Sequence, residues 1–328
     1  MTSYLYDDTT LSSVRITPHF HGIWVPMVTP FRHGDVDLDH ARRLARELAD
    51  SGAHGIVLCG TTGEAATLSE FEQQSLLLVV LDEVGPSFPV VMGVGGNDTR
   101  ALAQKIERYN DQPLAGLLIS PPAYVRPSQQ GIIEHYRALA AATDHSIILY
   151  NIPARSGVNM TPATVRELRR DSHFVAIKES AGEIRQLTDL LLDTGVDVLC
   201  GDDTLLLASL CLGGHGAISA AAHIRPDLYV QLYQLVRAGR IAEARTLFKA
   251  LLPMITLLFS EPNPGPVKAA LALLGKIDNE LRLPMTPMSG AGMALLEQAL
   301  ERLMRLPQRT MPSTHPLSFP RRREPMLS

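Results

Sequence analysis

Cysteine is scarce: the 328-residue chain has three, Cys59, Cys200 and Cys211. Their odd number and their spacing fit no zinc pattern and argue against a disulfide framework, so a reducing compartment is expected. Long apolar runs are also missing. A membrane helix needs roughly 18 apolar residues, and Leu76–Leu81 is a run of six. Met1–Thr17 is polar, carries Asp7 and Asp8, and lacks the basic and apolar stretches of a signal peptide. These absences predict a cytoplasmic protein with no membrane partner. Neither sign of charge dominates. Lys+Arg 30 against Asp+Glu 34 gives a net charge of −4, which offers no whole-chain field to nucleic acid. The histidines have no partners at ligand spacing, so no metal is expected. With 45% hydrophobic and 20% charged residues, the composition is that of a globular protein and excludes disordered and collagen-like classes.

What is present is a repeated cycle. Eight short apolar runs occur: Gly22–Thr29, Gly55–Cys59, Phe88–Gly93, Ala115–Ile119, Ser146–Tyr150, Phe174–Lys178, Val196–Cys200 and Gly214–Ile218. They are continuously apolar rather than alternating, as expected of parallel strands covered on both faces. Helical segments lie between them. Ser69 and Glu72 form a capping-box pattern before Phe71–Val84. Asp98 and Ser128 open two more helices, and Thr161-Pro162 opens another. Eight strand–helix units predict an α/β fold of the (β/α)8 TIM-barrel type. A doubly wound sheet would want a Gly-x-Gly-x-x-Gly after the first strand, where Pro30-Phe31-Arg32 stands instead. Past Asp227 only helices are predicted: Tyr229–Ala238, Ile241–Ser260, Pro266–Leu274 and Gly290–Arg305. The expected organisation is a flexible extension over 1–21, the barrel over 22–240, a C-terminal helical extension over 241–306, and a disordered basic tail over 307–328. The tail holds Arg321-Arg322-Arg323.

A TIM barrel keeps its active site at the C-terminal ends of its strands. Lys178 ends the sixth run, and it is one of only five lysines against 25 arginines. The other four, Lys105, Lys249, Lys268 and Lys276, fall in segments that read as helical or surface. A lysine at the barrel mouth with apolar walls is disfavoured as an ammonium and becomes a nucleophile for carbonyl carbon. The alternative is an ion-paired lysine, with Glu179 or Glu64 as partner. Tyr150 ends the fifth run and could relay a proton, or could be a core-edge aromatic. Gly60-Thr61-Thr62-Gly63-Glu64 follows the second run. It could hold a carboxylate through hydroxyls and backbone N–H groups, or be a plain turn, and it is not a P-loop. Arg155 suits a carboxylate-bearing substrate, or is a surface arginine.

Four segments in order resemble the dihydrodipicolinate synthase family of pyruvate-dependent Schiff-base aldolases. They are Gly60–Glu64, Tyr150–Gly157, Ile177–Glu179, and Gly201-Asp202-Asp203 leading to Gly213–Ser219. Glu261-Pro262-Asn263-Pro264 and Arg282–Pro287 resemble the synthase rather than its sialic-acid and sugar-acid aldolase relatives. The resemblance spans about residues 22–305. It implies that Lys178 forms an imine with pyruvate and that Tyr150 relays protons with Thr61 and with Tyr124 of a neighbouring subunit. It further implies that Thr62 holds the pyruvate carboxylate, that Arg155 binds the carboxylate of aspartate semialdehyde, and that Gly201 and Ile218 line the pocket through backbone groups. The implied product is 4-hydroxy-tetrahydrodipicolinate, on the diaminopimelate and lysine route. No metal or organic cofactor is implied, and the assembly is a homotetramer or homodimer. A related aldolase or dehydratase acting on another aldehyde, and an oxo-acid binder without turnover, are the competing readings.

The chain departs from the family pattern at Ala123 and Val125, where a tyrosine and a polar residue are usual. Glu70 and Gln73 stand where feedback-sensitive members carry histidines. The expected outcome is a turnover rate unchanged by millimolar L-lysine. Inhibition in that range in a steady-state assay refutes it.

Overall fold

The computed structural model describes residues 19–307. Most of the expected extension and all but Pro307 of the expected tail lie outside the described residues. His19, Phe20 and His21 lie inside them. Phe20 is buried against Trp24, with ring centroids 5.3 Å apart, and its N–H donates to Asp197 Oδ2 at 2.9 Å. Phe20 thereby joins the apolar cluster that fills the lumen.

Eight parallel strands form the closed barrel: β1 (Gly22–Pro26), β2 (Gly55–Leu58), β3 (Val90–Val94), β4 (Gly116–Ile119), β5 (Ile147–Asn151), β6 (Phe174–Glu179), β7 (Asp197–Cys200) and β8 (Gly216–Ile218). β1 pairs with both β8 and β2, which leaves the barrel sheet without an edge. All eight match the expected runs, with ends that move by one to three residues. β1 stops at Pro26 rather than Thr29 because the next groups turn to side-chain partners. The Val28 N–H donates to His223 Nε2 at 3.1 Å, and the Thr29 hydroxyl donates to the Gly63 carbonyl at 2.7 Å.

The barrel helices are α1 (Leu38–Asp50), α2 (Glu70–Val84), α3 (Thr99–Glu107), α4 (Gln129–Ala140), α5 (Pro162–Leu168), α6 (Ile184–Asp193), α7 (Leu206–Cys211) and α8 (Pro226–Arg237). The Ser69–Glu72 capping box is formed, and Asp98, Ser128 and Thr161 cap their helices as the sequence predicts. α6 and α7 carry no side-chain cap and so leave no such mark in the sequence. Three helices follow the barrel: α9 (Ile241–Leu258), α10 (Gly265–Leu273) and α11 (Gly290–Met304). Among the described residues no helix is long and apolar enough to cross a membrane.

Strand residues alternate between two apolar clusters. Trp24, Val57, Val91, Leu118, Ile148 and Leu199 fill the lumen. Their neighbours Ile23, Ile56, Met92, Ile119, Leu149 and Val198 pack outward under the helices. Gly55 makes room for the Trp24 indole: a Cβ there would sit 2.3 Å from the ring.

Half-buried His54 and buried His223 tie strand ends together as neutral rings. His54 Nδ1 accepts the Ile23 N–H at 3.1 Å. His223 Nε2 accepts the Val28 N–H while its Nδ1 donates to the Ala220 carbonyl at 2.8 Å. Burial pushes both from the usual 6.5 down to about 4. Between those values the unfolded chain binds more protons than the folded one. Stability is therefore full above about pH 6.5 and is lost as the pH falls toward 4. The slope from these groups is up to about 1.4 kcal/mol per pH unit each. Urea titrations across that window should show it, and His54→Gln should reduce the slope by about one proton. An unchanged slope refutes the assignment.

Candidate active site

The mouth is built on strand alternation. Tyr150 and Lys178 are register partners on β5 and β6, and so are Asn151 and Glu179 one position on. Tyr150 and Lys178 face the lumen, so Asn151 and Glu179 face outward. There the Asn151 amide donates to Glu179 Oε2 at 3.1 Å, and the Ala181 N–H donates to Oε1 at 2.7 Å. Glu179 is thereby consumed on the far side of the strand. Glu64, the other partner considered for Lys178, is held elsewhere. Among the described residues no carboxylate lies within ion-pairing distance of Lys178. Its Nζ sits 4.4 Å from the centroid of the Tyr150 ring, and the residue is buried. Gly201 gives it clearance, since a Cβ there would come within 2.8 Å of Lys178 Cε and 2.0 Å of Ser180 Oγ.

The turn after β2 supplies hydroxyls. The Gly63 and Glu64 N–H groups each donate at 3.1 Å, to the Gly60 and Thr61 carbonyls respectively. Cys59 and Glu64 flank this turn with φ of 50° and 53°, a left-handed conformation that a non-glycine residue keeps only when its surroundings hold it. The restraint comes from beyond the barrel. The Asn263 amide donates to Thr62 Oγ1 at 3.0 Å. Lys268 Nζ on α10 lies 2.5 Å from Glu64 Oε1, donates to the Glu280 carbonyl at 2.8 Å, and lies 4.0 Å from the Phe31 ring centroid. The Arg282 N–H donates to Glu64 Oε2 at 3.3 Å. Lys268, expected in a helical or surface segment, is helical but wholly buried. Burial pushes its ammonium down to about 8 while Glu64 draws it back up. A sequence window cannot reveal this pairing, because its two charges are about two hundred residues apart.

A cavity of about 630 Å³ opens at this end of the barrel. Thr61, Thr62, Tyr150, Arg155, Lys178, Gly201 and Ile218 all line it. Arg155 is exposed and has no hydrogen-bond or ion-pair partner among the described residues, leaving a free guanidinium at the mouth. Tyr124 does not join them. It lies on the loop after β4 at φ 69°, 90% exposed, outside the cavity of its own chain. The wall also includes residues that the sequence does not mark as site residues, among them Ser180, Asp203 and the Phe259–Asn263 segment. Asp203 had a usable signal, being an acid two residues past a glycine at a strand end. Glu261-Pro262-Asn263 within the other segment carries part of the family resemblance, but only chain folding brings it over the barrel.

Fold and mouth define a (β/α)8 barrel with a buried lysine at the open end of its lumen. The sequence model of the dihydrodipicolinate synthetase family matches residues 19–303, and the chain belongs to that family. It is 41% identical over 285 residues to the 4-hydroxy-tetrahydrodipicolinate synthase of Syntrophobacter fumaroxidans, covering 86% of this chain and 98% of that one. The crystal structure of dihydrodipicolinate synthase from Thermotoga maritima superposes with a TM-score of 0.86 at 34% identity, over 88% of this chain and 100% of that one. The Acinetobacter baumannii enzyme complexed with pyruvate superposes with a TM-score of 0.84 at 32% identity, over 87% of this chain and 99% of that one.

Removing one partner of a buried ion pair strands the other charge, at a cost of about 3–5 kcal/mol. Lys268→Met should therefore lower the unfolding free energy by about that much. Adding Glu64→Gln should recover part of the loss. Urea midpoints for the single and double variants check this, and equal stability of Lys268→Met and wild type refutes it.

Proposed function

We propose that the chain condenses pyruvate with L-aspartate 4-semialdehyde to give 4-hydroxy-tetrahydrodipicolinate, in the cytoplasm. The observation that carries this reading is the buried Lys178 amine, free of any ion pair, over the Tyr150 ring in a cavity that also presents Thr61, Thr62 and Arg155.

These positions support the following chemistry. Lys178 Nζ attacks the keto carbon of pyruvate, a C–N bond forms, and the carbonyl oxygen leaves as water with protons relayed by Tyr150 and Thr61. Thr62 and the backbone of its turn hold the pyruvate carboxylate, while Gly201 and Ile218 border the bound group. Loss of a methyl proton gives the enamine, whose carbon attacks the aldehyde. The aldehyde oxygen takes up a proton. Arg155 anchors the acceptor through its carboxylate by a two-pronged contact. The acceptor's amine then attacks the imine carbon, and Lys178 leaves as the free amine. Tyr124 completes the relay from a neighbouring subunit. Its exposure in the single chain supports a homodimer or homotetramer as the working form.

Borohydride reduction in the presence of pyruvate should fix a stable adduct on Lys178, located by peptide mass spectrometry. Lys178→Ala should lose the adduct and about three orders of magnitude or more in kcat. Turnover of aspartate semialdehyde should exceed cleavage of sialic acid or 2-keto-3-deoxygluconate. The folded wild type giving no adduct with excess pyruvate refutes the reading.

A further inference from the structure

Asp203 is a buried acid with no part in the chemistry above. It follows Gly201 and Asp202 at the end of β7, lines the cavity and is 3% exposed. Its Oδ1 accepts the Ser219 hydroxyl. Oδ2 accepts no hydrogen bond from any described group, so the fold leaves part of the negative charge unneutralised. The ionisable groups that face it are Lys178 from β6, Cys200 from β7, the adjacent Asp202, and Tyr229 from α8. Lys178 is the cation among them. Cys200 and Tyr229 are buried groups that burial keeps protonated.

An iminium at Lys178 places a positive charge in a site where no carboxylate is in contact with that nitrogen. Charges attract across greater distances where water is excluded than they do in water. We propose that Asp203 is a positioning residue for the lysine imine: held by the Ser219 hydroxyl, its carboxylate balances the cationic intermediate from the wall of the same cavity. This rests on the reading of Lys178 as the imine-forming residue. Burial raises Asp203 to about 6, with the Ser219 hydroxyl pulling the other way. The acid is therefore ionised above that value. The iminium favours the ionised form and, by linkage, a protonated Asp203 disfavours the iminium. Imine formation should fall as the pH drops through about 6.

The test compares wild type, Asp203→Asn and Ser219→Ala. It uses borohydride trapping with pyruvate and the pH profile of kcat/KM for pyruvate, with circular dichroism to establish folding. Wild type should show an acid limb near pH 6. Asp203→Asn keeps the size and loses the charge. It should lose that limb and fall about tenfold at higher pH, the equivalent of one pKa unit. Ser219→Ala removes a hydrogen bond to the ionised form, so its limb should move to higher pH. A wild type that traps pyruvate beside an Asp203→Asn variant with the same limb and the same kcat/KM overturns this inference alone. A wild type that traps nothing overturns the Lys178 reading instead. Should Asp203→Asn not fold, an unmoved limb in Ser219→Ala is the overturning result.

Discussion

The two-residue period of a closed parallel barrel governs where each functional group lies. On β6 it turns Lys178 into the lumen and Glu179 outward, although they are neighbours in the chain. Without that inversion, an adjacent carboxylate would be free to pair with the amine and hold it as an ammonium. The same alternation places Tyr150 beside Lys178 and Asn151 beside Glu179, so one pair faces the cavity while the other joins strand to helix. Closure extends the constraint around the ring. The lumen below is filled with apolar side chains, and polar groups gather at its open end.

The second constraint comes from outside the barrel. Lys268 and Glu64 meet in a fully buried pair, and Asn263 and Arg282 bond to the same turn. The helices that follow the barrel thus hold the loop that presents Thr61 and Thr62. The left-handed conformation at Glu64 is kept because its carboxylate is gripped from two directions. A buried ion pair gives little net stability relative to an apolar replacement, but it is intolerant of losing one member. That makes it suited to fixing a position rather than to stabilising the chain as a whole.

Most of the barrel was legible because each strand is a short apolar run and most helices begin at a recognisable cap. α6 and α7 were not, since neither has a side-chain cap and their apolar residues merge with neighbouring runs. At the site, residues at strand ends could be read, because topology sends every such end to one face. Lys178, Tyr150, Thr61, Thr62 and Gly201 belong to that group. Lys268 could not be read: in a window it is one polar residue in an apolar helix, and its burial depends on a charge about two hundred residues away.

By itself the sequence determined the eightfold alternation of strand and helix, the face on which chemistry must lie, and the residues on that face. Local patterning suffices for these, since hydrophobic period and caps act over a few residues. Tertiary structure alone decided which charges meet. It paired Glu64 with Lys268 rather than Lys178, left Arg155 without a partner at the mouth, buried Asp203 in the wall of the cavity that holds Lys178, and turned Tyr124 away from its own cavity. Electrostatic partnership depends on distance in space and on the exclusion of water, and neither is fixed until the chain has closed on itself.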